Sequence, residues 1–132
     1  MRVRLELFVD DLAGSIAFYT EVLGFEVVRC TDRYASLRRG RVVLGLGPVG
    51  KLPARVTGPG FTQDRLRANR GAGVEIVLEL DSVTELTELH DRCRYQGLVV
   101  EPLQDRPWGL RDFRLVDPDG FYLRITHGDA TT

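Results

Sequence analysis

The chain has 132 residues, of which 43% are hydrophobic, and its 18 Lys and Arg nearly balance its 19 Asp and Glu, giving a net charge of -1. A chain of this length and composition buries a core of its own, so we expect one domain over 1–132 and no disorder. The balanced charge argues against nucleic-acid binding, which needs surplus Lys and Arg. Apolar runs are too short for a membrane span or an export signal, which indicates a cytoplasmic protein.

The first part of the chain predicts a strand, a helix and three more strands. Apolar and polar residues alternate over 3–9, the period of a half-buried strand. Asp11 is placed to cap a helix that runs to about Leu23, and Gly24 to end it. Short strands are predicted over 25–30, 34–38 and 41–46. These elements form a first module over 3–46.

Glycines and prolines interrupt 47–73 too often for a long element, so this segment is predicted to be a linker, with at most a short helix over 62–70, and a candidate cover for a pocket. The earlier order then repeats as a second module over 74–127. It has a strand at 74–80, a helix from the capping pair Ser82 and Glu85 to about Gln96, and strands at 98–101, 111–116 and 121–126. Two βαβββ modules predict an α+β fold whose mixed sheets curl into a cup.

Most short motifs are better explained by a structural role than by a functional one. Residues 45–50 match GxGxxG, but a proline lies inside the motif and no helix opens at its third glycine, so a strand end running into a loop is favoured over a dinucleotide site. His90 and His127 are the only histidines, and neither has a second ligand at metal-binding spacing. Cys30 and Cys93 form no CxxC and are interpreted as reduced thiols.

Charged and polar aromatic side chains lie on the strand faces opposite the helices: Arg4, Glu6, Glu75, Glu79, Tyr122 and Arg124. Isolated charges that line a cavity are costly, so we expect them to pair. Arg4, Glu75 and Arg124 are the expected cluster. The carboxylates of Glu6, Glu75 and Glu79 are also candidate general bases, although a structural role in ion pairs is favoured.

The pattern resembles the vicinal oxygen chelate superfamily, which includes glyoxalase I, bleomycin-resistance proteins and ring-cleaving dioxygenases. The fragments that carry the resemblance span nearly the whole chain: Val9-Asp10-Asp11-Leu12, Ser15, Phe18-Tyr19, Leu23-Gly24-Phe25, Pro107-Trp108-Gly109, Arg111 and Asp117-Pro118-Asp119-Gly120. Metal-dependent members place His, Gln or Glu on the first, fourth, fifth and last strands. The corresponding residues here are Arg4, Gly45, Glu75 and Arg124. Since guanidinium groups repel a cation and donate no lone pair, the resemblance implies no metal and no other cofactor.

This departure resembles the metal-free resistance proteins, which sequester an antibiotic unchanged in clefts of a homodimer, where aromatic rings stack on planar drugs. The resemblance therefore implies drug binding and antibiotic resistance, with a small molecule and a second copy of the chain as partners, while the balanced charge and the short apolar runs argue against nucleic acid and membrane. The candidate ligand-binding residues are Arg4, Glu6, Phe8, Tyr34, Phe61, Glu75, Trp108, Phe113, Tyr122 and Arg124. Trp108 leads this set because a tight turn holds its large ring where polar residues are usual. Packing at a rim or dimer contact would explain Trp108 equally well.

Two other functions stay open. One is a glyoxalase-like or dioxygenase-like lyase or isomerase, with an atypical metal site built on Glu75 and Glu6 or Glu79, or with a carboxylate base and no metal. The other is a regulatory module that uses the arginines of 29–41 to bind protein or nucleic acid. Such a charge run is more often a solvated hairpin edge, where cations also discourage pairing with other strands.

Overall fold

The computed structural model describes residues 1–55, 60–67 and 70–128. The chain divides into two units, Met1–Arg70 and Gly71–Thr132. Each described unit contains a four-stranded mixed sheet and a helix between its first two strands. The predicted α+β class with two βαβββ modules is therefore confirmed.

The first unit has the sheet order β1-β4-β3-β2, in which β1 and β4 are parallel and the other neighbours antiparallel. Its elements are β1 (Leu5–Val9), α1 (Leu12–Ala17), a wider π-helical turn (Phe18–Val22), β2 (Glu26–Cys30), β3 (Ala35–Arg39) and β4 (Val42–Pro48). The buried residues of these strands form the core of this unit, and among them Leu37, Leu44 and Leu46 are at most 1% exposed.

The helix of the first unit begins and ends where the sequence predicts, but its second half is not α-helical. The Asp11 side chain accepts a hydrogen bond from the Gly14 N–H at 3.1 Å, and Gly24 ends the segment with a φ of 72°. Between them, the Thr20 hydroxyl donates to the Ile16 carbonyl at 2.8 Å. A threonine that bonds back to this carbonyl loosens a helix, which accounts for the wider turn.

The described residues of the predicted linker, 47–55, 60–67 and 70–73, are mostly irregular. The first two of them instead complete β4, and short 3₁₀ turns follow at Val49–Lys51 and Asp64–Leu66. The helix predicted over 62–70 is thus reduced to one turn, and residues 68–69 of it lie outside the described residues. Arg70 is the last residue of the unit, and its side chain donates a hydrogen bond of 2.9 Å to the Phe8 carbonyl of β1.

The second unit repeats this topology with the order β5-β8-β7-β6 and a parallel β5–β8 pair. Its elements are β5 (Glu75–Leu80), α2 (Val83–Tyr95), β6 (Val99–Asp105), β7 (Arg111–Val116) and β8 (Tyr122–His127). Strand β6 is longer than the predicted 98–101, and its register against β7 shifts twice. Pro102 lies inside it, which the sheet tolerates because β6 is an edge strand.

Helix α2 is capped as predicted and covers one face of the second sheet. The Ser82 hydroxyl accepts from the Glu85 N–H at 3.1 Å, and Leu86, Leu89 and Cys93 are buried. In β5 every second residue is buried, which leaves Glu75, Val77 and Glu79 on the opposite side of the strand. Among the described residues, no helix has both the length and the apolar character that crossing a membrane requires.

Candidate functional site

Six charged side chains of the second unit form a closed ring of ion pairs, called the charge ring below. They come from β5, β6, the residue after β6, β7 and β8, and they are Glu75, Glu101, Arg106, Asp112, Arg114 and Arg124. Acids and arginines alternate around the ring, so its formal charges cancel. Each member holds two neighbours of opposite charge, which ties all four strands of the sheet together.

Glu75 is the acid at which two arginines of neighbouring strands meet. One of its carboxylate oxygens accepts from the Arg114 Nε at 2.9 Å, and the other lies 3.0 Å from the Arg124 Nε. Arg114 also donates to Glu101 at 2.9 Å. Both oxygens of Glu75 are therefore occupied by cations, and the structure confirms the predicted pairing of Glu75 with Arg124.

Asp112 is the buried member of the ring, with a side chain only 1% exposed. Its Oδ1 accepts from the Arg106 Nε at 2.8 Å, whereas its Oδ2 lies 3.8 Å from the Arg124 Nη1 and has no hydrogen-bond partner among the described residues. The ring is thus tight around Arg106 and loose between Asp112 and Arg124.

The ring favours the charged forms of Glu101, Arg106 and Arg114. A hydrogen bond from Arg106 is the main reason that the pKa of Glu101 is lowered, and the Asp112 hydrogen bond is the main reason that the pKa of Arg106 is raised. The pKa of Arg114 is raised chiefly by its hydrogen bond to Glu75. These shifts share one direction, towards the charged forms, because each group lies beside a partner of opposite charge.

In the first unit, Arg4, Glu6 and Tyr34 form a polar cluster. Arg4 donates to Glu6 and to the Tyr34 hydroxyl at 3.1 Å each, and Tyr34 donates to the Glu6 carboxylate at 3.0 Å. Burial, then the hydrogen bond to Glu6, raises the pKa of Tyr34. Gly45 leaves the room for this contact, since a Cβ there would overlap the Glu6 carboxylate and the Tyr34 hydroxyl. The sequence predicts that Arg4 joins Glu75 and Arg124; within its own unit, Arg4 forms an ion pair with Glu6.

A cleft of about 830 Å³, called the Trp108 cleft below, opens in the second unit where β5 and β8 end and α2 begins. Its lining residues are Glu79, Leu80, Asp81, Ser82, Val83, Trp108, Gly109, Leu110, His127 and Gly128. Trp108 lies in the loop between β6 and β7 and is 60% exposed. A large indole exposed at a concave surface is a typical feature of a binding site.

The loop that carries Trp108 is held by the charge ring. The Arg106 N–H donates to the Leu110 carbonyl at 2.8 Å, and the Gly109 N–H donates to the Arg106 carbonyl at 3.0 Å. Gly109 has a φ of 90°, which a glycine adopts without strain. Because the Arg106 side chain is anchored on buried Asp112, the ring holds the residue from which this turn starts and to which it returns.

The other predicted aromatic residues fall into different environments. Phe8 and Phe61 pack together in the first unit, with ring centroids 4.4 Å apart, and Tyr122 is 44% exposed on β8 of the second. Phe113 is fully buried and packs edge-on against His90 of α2. The prediction of Phe113 as a ligand-binding residue is not supported by this position, because the side chain belongs to the core between sheet and helix.

The superfamily described as Glyoxalase/Bleomycin resistance protein/Dioxygenase matches residues 2–125 of the chain. The chain belongs to this superfamily. Among solved structures, a lactoylglutathione lyase from Agrobacterium tumefaciens is 23% identical, with 96% of this chain and 92% of that chain covered and a TM-score of 0.71. TioX from Micromonospora sp. ML1 is also 23% identical, with 96% and 98% covered and a TM-score of 0.71. At this identity the structures show the fold alone. No curated protein is significantly similar in sequence.

The residues of this superfamily member do not fit the metal site that the resemblance implies for metal-dependent members. Of the four corresponding residues, Arg4 and Arg124 carry guanidinium groups and Gly45 has no side chain, so none of the three supplies a ligand. Glu75 is the one ligand type present, and both of its oxygens are taken by arginines. The described residues contain no group of three or more His, Cys, Asp or Glu side chains placed to hold a metal.

Several site residues were not predicted from the sequence. Glu101, Arg106, Asp112 and Arg114 complete the ring, and Asp81 joins Glu79 in the Trp108 cleft. Alternation along β7 places Asp112 and Arg114 on one face, which is a usable signal. Their partners depend on the shifted β6–β7 register, for which the sequence has no signal.

Proposed function

We propose that this superfamily member binds a small planar aromatic molecule, of the kind found among antibiotics, in the Trp108 cleft and sequesters it unchanged without a metal. The observation that carries the proposal is the indole of Trp108, 60% exposed over a cleft of about 830 Å³. Stacking of a flat ligand on this ring would bury apolar area from both partners.

The charge ring supports binding over metal-assisted catalysis. Arg4 and Arg124 stand where metal-dependent members of the superfamily have ligands, and Glu75 is neutralised by ion pairs with Arg114 and Arg124. The ring also holds the Trp108 loop through Arg106. A loop fixed in advance loses little conformational entropy when a ligand binds, and this favours affinity.

The proposal includes a homodimer in which a second copy of the chain completes the cleft. Strand β2 supports self-association, because it is an edge strand with all five residues exposed, including Val27 at 47% and Val28 at 62%. Arg29 in this strand discourages edge pairing, so the support for self-association comes from the exposed apolar Val27 and Val28. Sedimentation equilibrium should give twice the chain mass, and a monomer at micromolar concentration would remove the dimer from the proposal.

Trp108 is the only tryptophan in the chain, so its fluorescence reports directly on the cleft. Titration with a panel of planar antibiotics should produce saturable quenching by at least one compound, recovered chemically unchanged. Trp108→Leu should weaken that binding in calorimetry by about tenfold. Tyr95→Leu is the matched control, because Tyr95 is 94% exposed on α2 and absent from the described cleft lining, and it should leave the affinity unchanged. Absence of binding across the panel would contradict the proposal.

The alternative is a lyase or isomerase that uses a carboxylate base. Glu79 is the residue that favours it, because this carboxylate lies in the cleft and makes no ion pair within the described part of the second unit. Turnover of a bound compound, lost in Glu79→Gln, would establish this alternative and displace sequestration.

A further inference from the structure

We infer that the Trp108 cleft selects planar molecules that carry a positive charge, such as a protonated or quaternary ring nitrogen, with Glu79 and Asp81 as the counter-charges. This inference rests on the proposed binding function and adds the chemical class of the ligand.

The two carboxylates of the cleft are unneutralised. Among its described lining residues, Glu79 and Asp81 are the acids, and no Lys or Arg is present. Within the described part of the second unit, neither side chain makes a hydrogen bond or an ion pair, whereas each acid of the charge ring is held by arginines. The acids of the charge ring are therefore neutralised by arginines, whereas Glu79 and Asp81 of the cleft keep their negative charge available to a ligand.

The start of α2 does not reverse this charge. A helix N-terminus attracts anions through its free N–H groups and its dipole. Here the Glu85 carboxylate accepts from the Asp81 N–H at 3.2 Å, and Ser82 accepts from the Glu85 N–H at 3.1 Å. The chain's own carboxylate thus complements the positive end of the helix, and an anionic ligand would add to three negative charges nearby.

His127 also adds no positive charge to the cleft. Its Nε2 accepts from the Arg111 N–H at 3.2 Å, so this nitrogen carries no proton. Its Nδ1 lies 3.1 Å from the Gly128 carbonyl and donates to it. This pattern assigns the neutral ring protonated at Nδ1, since only that tautomer satisfies both contacts.

Trp108 and the carboxylates favour the same ligand. The face of an indole attracts cations as well as flat rings, and a nearby carboxylate strengthens the attraction for a positively charged ring. Leu80, Val83 and Leu110 supply apolar contacts for the remainder of such a molecule. A neutral aromatic compound would keep the stacking and lose the charge attraction, and an anionic one would be repelled.

Three related compounds test the inference by calorimetry at low ionic strength: aminoacridine, which is a cation at neutral pH, neutral acridine, and anionic acridine carboxylate. We expect aminoacridine to bind most tightly and acridine carboxylate least. Glu79→Gln should weaken aminoacridine about fivefold and leave acridine unchanged, because one charge contact in water contributes about that factor. Added salt should reduce the difference in affinity between aminoacridine and acridine.

Glu88→Gln is the matched control. Glu88 is an exposed carboxylate of α2 that does not line the described cleft, so its substitution changes the net charge equally and should leave all three affinities unchanged. Equal binding of acridine and aminoacridine, with no effect of Glu79→Gln, would overturn the cation inference and leave the proposed function intact. Tightest binding of acridine carboxylate would also overturn it. Failure of every planar compound to bind would overturn the proposed function itself.

Discussion

Removal of Asp112 should break the charge ring at its buried member. The carboxylate is 1% exposed, and it accepts from the Arg106 Nε at 2.8 Å. Asp112→Ala leaves both Arg106 and Arg124 without this partner beneath the sheet surface. Loss of one partner from a fully buried pair costs about 3–5 kcal/mol, and because these arginines retain some solvent contact we expect about 2–4 kcal/mol.

Asp112→Asn separates the charge from the shape of this side chain. The amide keeps one carbonyl oxygen for Arg106 but no negative charge, so the loss should be smaller, about 1–2 kcal/mol. Urea unfolding followed by circular dichroism measures both variants, with a lower midpoint and an unchanged slope as the expected result.

An exposed ion pair provides the control for this experiment. Asp64 and Arg67 lie 3.4 Å apart, with side chains 40% and 77% exposed. Asp64→Ala should therefore change the free energy of unfolding by less than about 0.5 kcal/mol. If Asp112→Ala is as mild as Asp64→Ala, the ring does not act as a structural unit and the reasoning is wrong.

Three further predictions concern pKa values. The pKa of Glu101 is below its ordinary value of 4.5, so on acidification the unfolded chain binds a proton at Glu101 before the folded protein does. Stability should therefore fall as the pH drops below that value. Glu101→Gln should make the fall of the urea midpoint with pH less steep, as measured by urea unfolding across this pH range. Glu6→Gln should lower the raised pKa of Tyr34, measured as phenolate absorbance against the wild type, and an unchanged curve would refute the role of Glu6. Burial raises the pKa of Cys93 to about 11, so this thiol stays protonated at mildly alkaline pH. Iodoacetamide should therefore label exposed Cys30 in the folded protein and label Cys93 only in urea. Rapid labelling of Cys93 in the folded protein would contradict this.

The sequence predicted elements well where one face is buried. In β5 the alternation of Glu75–Leu80 matches the observed burial, and the predicted bounds of β7 match Arg111–Val116. It missed the π-helical turn at Phe18–Val22, which has the same apolar spacing as a helix. The strand predicted for β6 was too short, because two register shifts and Pro102 interrupt the alternation of apolar and polar residues by which strands are recognised.

The site was predicted only as far as strand faces determine it. Glu75 and Arg124 lie on the same face of adjacent strands, and their pairing follows from that. The position of Arg106 beside Asp112 depends on where β6 ends and how the loop turns back, so it was not predictable. The presence of Trp108 and Asp81 in one cleft depends likewise on two loops that are distant in sequence.

The central claim is that this member of the glyoxalase and bleomycin-resistance superfamily binds its ligand without a metal. The direct measurement is calorimetry of the Trp108 cleft with a planar compound, before and after treatment with EDTA. Equal affinity in both samples is the predicted result, because Arg4 and Arg124 replace metal ligands and Glu75 is held by two arginines. Binding that EDTA abolishes and that zinc, iron, nickel or manganese restores would contradict the claim.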